Sequence, residues 1–184
     1  LTCMDELTDA VKNPSYDPEN EYSVSYFWGT VGIVYDKTKV SLEDLEREGF
    51  NIFKDTKYRG DIYLYDSERD SFMMALKALG YSMNTENEDE LQDAYNWLVE
   101  CVQTMKPEIV TDEIIDNMAQ GRKALGLCYS GDAAYIMSEN ENMGYYLPEG
   151  GTNLWYDSMV IPANAKNVEL AHEFINFISS YDYA

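Results

Sequence analysis

Apolar side chains recur along this sequence with two different periods, and the alternation between them lays out the fold. Residues Tyr22 to Tyr35 are rich in aromatic and β-branched side chains and are broken by Gly29 and Gly32. That composition favours a long strand, with glycines where the backbone bends or is closely approached. Ser41 opens a short helix, with an acid three residues later as in a capping box. The run Asp61-Ile-Tyr-Leu-Tyr65 reads as a buried strand feeding directly into Asp66-Ser67, a good N-cap. Phe72, Met73, Leu76 and Leu79 then fall at helical spacing, and Gly80 ends the helix. Leu91, Tyr95, Leu98 and Val102 repeat that spacing in a helix over 88–105, and 111–120 is another, closed by Gly121. Ala124 to Tyr129 is a continuous apolar strand, followed by Ser130-Gly131-Asp132 and a helix over 133–139. A short strand at Tyr145 to Pro148, a strand over 155–162 and an amphipathic helix over 168–180 complete the pattern.

Strands that alternate with helices, and that are apolar throughout rather than on every second residue, indicate an α/β sheet covered on both faces. The long first strand is expected to join it antiparallel. The polar, acidic stretch 1–21, with turns at Asn13-Pro14 and Asp17-Pro18, reads as an irregular lead-in. Residues 22–184 are expected to form a single α/β unit. Leu1 is not a natural initiator and no signal segment opens the sequence, so a longer parent is expected.

Composition narrows the function classes. With 45% hydrophobic residues, the 184-residue chain has ample material for a core. Its 34 acids against 13 bases give a formal charge of −21, a field that repels phosphate backbones and excludes nucleic acid as a partner. The same field suits a cation, although acidic surfaces also serve solubility alone. Cys3, Cys101 and Cys128 are too few and too dispersed for a disulfide framework or a zinc cluster, and Cys101 and Cys128 read as buried thiols. No apolar run is long enough to span a bilayer. No cofactor or metal site is expected.

In open α/β sheets ligands bind beyond the carboxyl ends of strands. Three places meet that rule: Tyr65 to Asp70, Tyr129 to Asp132, and Trp155-Tyr156-Asp157. Each joins carboxylates to aromatic rings or small residues. A carboxylate gives an ammonium group a charge-assisted hydrogen bond, and an aromatic face attracts a cation while packing on methylenes. That combination suits a flexible diamine or triamine. Taken singly, Asp66 and Ser67 also serve as plain helix caps, Tyr129 as core, and Trp155 as a loop plug. Enzymatic readings fare worse. The one histidine, His172, falls on the polar side of a surface helix, and no Gly-x-Ser-x-Gly elbow or phosphate-binding glycine loop is present. No catalytic residue is assigned.

Several motifs, in order, resemble bacterial spermidine/putrescine-binding proteins of ABC transporters. They are Tyr26-Phe-Trp-Gly-Thr-Val-Gly-Ile-Val-Tyr35, Asp66-Ser-Glu-Arg-Asp70 with Leu79-Gly-Tyr-Ser82, Glu149-Gly-Gly151, Trp155-Tyr-Asp157-Ser, and Ile161-Pro-Ala-Asn-Ala-Lys-Asn167. The likeness runs from about Tyr16 to Ala184. It implies a type II periplasmic-binding fold, here the second lobe: a three-layer α/β/α arrangement on a mixed, mostly parallel sheet. It also implies that the first lobe of the same protein, a polyamine ligand and ABC permease subunits are its partners. The location it implies is extracytoplasmic, either periplasmic or as a lipoprotein on the outer face of the membrane. Carried over by motif, Trp155 is the aromatic wall, Asp157 and Asp70 are the ammonium-binding acids, and Tyr129 is the stacking ring. The family carries Trp at the position of Tyr129, and some members have an acid at that of Ser67. Asp132 is the candidate substitute for that acid. The alternatives are another small solute (a sugar, an amino-acid derivative or a chelated metal), a carboxylate-based hydrolase, or an acidic interaction domain.

Overall fold

The aromatic, β-branched run folds as β1 (Val24–Asp36), whose second half lies inside a mixed sheet. The computed structural model describes residues 1–181. Around β1 the strands are β2 (Ile62–Tyr65), β3 (Glu108–Val110), β4 (Leu125–Tyr129) and β5 (Met143–Tyr146), in the order β3-β2-β4-β1-β5. A sixth strand, β6 (Leu154–Met159), pairs with β1. β2 runs parallel to both β3 and β4. β1 is antiparallel to β4, with Val31 opposite Tyr129, and antiparallel to β5. The antiparallel entry of the first strand is as the sequence predicts.

Why the strands are continuously apolar is visible in their burial. Val31 to Asp36 and Leu125 to Cys128 are buried without alternation, because both faces are covered. On one face Val34, Tyr63 and Cys128 pack with Ile114 and Met118 of α4 (Glu113–Ala119) and Ala133 and Ile136 of α5 (Ser130–Glu139). On the other, α2 (Glu68–Ala78) packs on β2 and on α3 (Glu88–Met105), burying Met73, Met74, Ala94 and Cys101. Each such side chain contributes roughly 1.5–3 kcal/mol when withdrawn from water. Helix ends follow their caps. Ser41 Oγ accepts from the Asp44 amide at 3.1 Å at the start of α1 (Leu42–Glu48), and Gly80 takes a left-handed φ of 82° after α2.

Compactness divides the chain into Leu1–Gly29 with Trp155–Ala184, and Thr30–Leu154. The expected limit at residue 21 is therefore not where the compact units part. The division falls within β1 at Gly29, where the sequence signals a bend or close approach but not the limit of a unit. The first unit has a small core of Cys3, Val24 and Ile175, with Met4, Leu7, Met159 and Ile161 packed against it. Its lead-in is more ordered than its composition suggests. Two short 3-10 turns form, and the Asp17 carboxylate accepts from the amides of Glu21, Tyr22 and Ser23 and from the Ser23 hydroxyl. Tyr16 and Ser158 share a hydroxyl hydrogen bond of 2.8 Å, which ties the lead-in to β6. α6 (Val168–Ile178) buries Ile175 but leaves Leu170, Phe174 and Phe177 more than half exposed. The second unit holds the later half of β1, β2 to β5 and α1 to α5.

Two expectations need correcting. Glu108–Val110 is a strand that no periodicity announced, an edge pairing only three residues long. Ser130-Gly131-Asp132 is not a loop but the first turn of α5. Tyr129, in extended conformation, is its N-cap, and Gly131 needs no unusual backbone there.

Candidate functional site

At the carboxyl end of β2 the chain turns into α2 through Ser67, whose hydroxyl accepts from the Asp70 amide at 3.3 Å. That cap places Asp70 in the first turn, where the helix dipole favours a negative charge. Asp70 is only 3% exposed. Its Oδ2 accepts from the Tyr129 hydroxyl at 2.7 Å, and its Oδ1 from the Asn153 side-chain amide at 3.1 Å. Tyr129, the last residue of β4, meets Tyr65, the last of β2, edge to face with ring centroids 5.0 Å apart. The Tyr65 hydroxyl in turn donates to Asp112 Oδ1 at 3.2 Å. Parallel pairing of β2 with β4 brings both strand ends to the same edge of the sheet. Burial first, and then the charge of Asp112, pushes the Tyr65 phenol up to about 12. Burial and the hydrogen bond to Asp70 raise Tyr129 as well. Both phenols therefore stay protonated donors across the physiological range.

Asp132, in the first turn of α5, is half-buried. Burial, and next the charge of Asp112, raises its carboxyl above the ordinary aspartate value. A carboxyl whose folded value is raised binds its proton more tightly in the folded state. Asp132 therefore costs the folded state stability at neutral pH, and the cost fades as pH falls through the raised folded value and is gone below the unfolded value of about 3.9. The expected result is that Asp132→Asn raises the thermal midpoint at pH 7 and leaves it unchanged near pH 3. A midpoint lowered at pH 7 would contradict this reading of Asp132.

Trp155 and Asp157 lie in the other unit, on β6. The strand's two-residue period puts them on one side, with Trp155 half-buried and Asp157 exposed. Between them Tyr156 donates to the carbonyl of Ala10 at 3.3 Å, so the intervening residues anchor the strand to the lead-in. Of the six residues singled out from sequence, the structure brings Ser67, Asp70 and Tyr129 into direct hydrogen bonding. Asp132 acts on Tyr129 through its charge. Asn153 and Asp112 were missed, and so was the role of Tyr65, which lies inside the first loop singled out. Asn153 follows Glu149-Gly-Gly by two residues, but only the path of that segment shows it reaching Asp70.

A groove of about 410 Å³ runs beside this cluster, lined by Leu64, Phe72, Tyr95, Leu98, Val102 and Ile109, with Ser67 at its rim. Asp70, Tyr129 and Asp132 do not line it. Its wall is mostly apolar, with Tyr65, Asp66 and Glu68 also in its lining, so the carboxylates and rings gathered at the strand ends are the candidate. His172 is exposed on α6. All three cysteines are buried and unbridged, and burial raises the Cys101 thiol to about 11.

The chain is 33% identical over 193 residues to the spermidine/putrescine-binding periplasmic protein of Escherichia coli K12, an alignment covering 100% of the chain and 52% of that protein. A putative spermidine/putrescine ABC transporter from Listeria monocytogenes superposes with a TM-score of 0.87 at 37% identity, over 100% of this chain and 56% of that one. The spermidine/putrescine ABC transporter substrate-binding protein PotD from Streptococcus pneumoniae gives 0.80 at 35% identity, over 98% and 55%. The chain thus spans about half the length of the relatives it matches, which are named as binding proteins or ABC transporters. The family model for bacterial extracellular solute-binding proteins matches residues 2–184, and the chain belongs to that family.

Proposed function

We propose that this chain is part of an extracytoplasmic polyamine-binding protein, not an enzyme, that delivers spermidine or putrescine to an ABC permease. The observation that carries this reading is the pairing of acids with aromatic rings at strand ends, within a sequence 33–37% identical to proteins named for spermidine and putrescine. The recognition groups of this reading are Trp155 and Asp157 on β6, and Tyr129, Ser67 and Asp132 at the ends of β4 and β2 and the start of α5. The carboxylates offer charge-assisted hydrogen bonds to ammonium groups, and the rings pack on the methylenes between them. Protonated phenols add donors without adding charge. Binding then favours a closed conformation of the whole protein, the form a permease recognises.

A thermal-shift panel tests the ligand class on the complete protein that carries this sequence. Putrescine and spermidine are expected to raise the midpoint with concentration by mass action, by about 2.7 kcal/mol of added stability at 100 times Kd. Sugars, amino-acid derivatives, chelated metals and anions are expected to leave it unmoved. A shift produced by one of those solutes and by neither polyamine sinks the reading.

A further inference from the structure

The family resemblance casts Asp70 as an ammonium ligand, but its surroundings describe a different task. The carboxylate is 3% exposed, and Asn153, which supplies one of its two donors, is 8% exposed. Its oxygens are held separately, one by Tyr129 at 2.7 Å and the other by Asn153 at 3.1 Å. Each oxygen has room for a second donor, but at 3% exposure the charge is covered, and an entering ammonium group would have to displace the packing around it. Opening that packing, or displacing either buried donor, would offset the gain from the new contact.

What the two donors have in common is where they sit. Tyr129 closes β4 and carries the ring proposed to meet the ligand. Asn153 lies two residues before Trp155 and four before Asp157. The same short segment is fastened to β1 as well. The Asn153 carbonyl accepts from the Val31 amide at 3.3 Å, and the Thr152 hydroxyl donates to the Val31 carbonyl. Without the Asp70 contact, the segment would keep its β1 bonds and the weak contact of the Thr152 hydroxyl with the Met73 sulfur, but lose its tie to the first turn of α2.

We infer that Asp70 is a positioning residue rather than an ammonium ligand. Its buried carboxylate fixes the Tyr129 ring through one oxygen and Asn153, with the 152–154 segment, through the other. Its effect on ligand binding is therefore exerted through Tyr129 and Asn153. The binding half of this inference rests on the polyamine reading; the positioning half does not.

The test uses Asp70→Asn, Asn153→Ala and the double variant in the complete protein. The first readout needs no ligand: amide hydrogen exchange by mass spectrometry or NMR. Each single variant is expected to speed exchange at residues 152–154 by about tenfold or more, while Ile33 and Leu127 in the sheet stay protected. The second readout is putrescine affinity by calorimetry. Because both substitutions cut one tether, the double variant is expected to bind within about twofold of Asp70→Asn alone. Asn153→Ala removes the tether without touching the carboxylate, so it decides the matter even if Asp70→Asn folds poorly. Unchanged exchange at 152–154 in Asn153→Ala overturns the inference. So does a loss from Asp70→Asn that persists undiminished on top of Asn153→Ala, since that is the behaviour of a direct ligand. If the unaltered protein binds no putrescine, the polyamine reading falls, and the exchange measurement alone decides the positioning role.

Discussion

Asp157→Ala will weaken spermidine binding by about 2–5 kcal/mol, roughly 30- to 5,000-fold, in the complete protein that carries this sequence. The size of the effect comes from what the substitution leaves behind. In the ligand-free protein Asp157 is exposed on β6, so its carboxylate is hydrated. Closure around a ligand would remove that water from both partners, and the ammonium would then face an alanine methyl. Deleting one member of a desolvated charge pair costs far more than deleting a surface ion pair, because the surviving charge has no solvent to return to. Stability of the ligand-free fold should barely change, within about 0.5 kcal/mol, since the side chain is exposed. This separation makes the experiment clean: a large loss by calorimetry with an unmoved thermal midpoint. Asp157→Asn should fall between the two, keeping shape and a hydrogen-bond acceptor but losing charge. Equal spermidine affinity in Asp157→Ala and the unaltered protein removes Asp157 from the site.

How much of this was legible in the sequence depends on how local each signal is. The ends of α1 and α2 were readable because Ser41, Ser67 and Gly80 act within three or four residues of where they stand. β1, β2 and β4 were readable because burial on both faces leaves an unbroken apolar run. β3 was not, since three residues after Pro107 are too few to show a period, and an edge strand needs no apolar face on both sides. The start of α5 was hidden because Ser-Gly-Asp has the composition of a turn, whatever backbone it adopts. In the candidate site, the rule that ligands gather at strand ends singled out Ser67, Asp70 and Tyr129, which the structure joins by hydrogen bonds. It did not disclose that Asp70 is sealed, because burial of a first-turn carboxylate depends on Asn153, 83 residues away along the chain. The division of the chain into two units was equally unreadable, since it falls inside β1 at Gly29, and a glycine within a strand signals a bend without marking the limit of a unit.

Gly32→Ala is expected to destabilise the protein by roughly 2–4 kcal/mol, and the reason lies in how β1 and β5 share space. Tyr145 stands opposite Val34, and its ring leans diagonally over Gly32. A methyl group added at Gly32 would sit 2.6 Å from Tyr145 Cζ and 2.7 Å from its hydroxyl oxygen, well inside van der Waals contact. A long flexible side chain would swing aside at small cost, but Tyr145 is held. Its hydroxyl donates to the Thr30 carbonyl at 3.2 Å and lies 3.1 Å from Thr30 Oγ1, while burial pushes its phenol up to about 12. Relieving the clash therefore means losing the hydrogen bonding at Thr30 as well as repacking the ring, about 1–3 kcal/mol for overpacking and about 1 kcal/mol for the bond. On the opposite face the arrangement is reversed: Tyr35 covers Gly144, where an added methyl would come within 2.7 Å of the ring. Urea unfolding measures the effect, and a second substitution identifies its cause. If the ring is the obstacle, Tyr145→Ala in the Gly32→Ala background will destabilise less than the two single changes summed, by about 1 kcal/mol or more. Strict additivity, or a Gly32→Ala protein within about 0.5 kcal/mol of the original, would mean the ring yields freely and that Thr30 is not fixed by it.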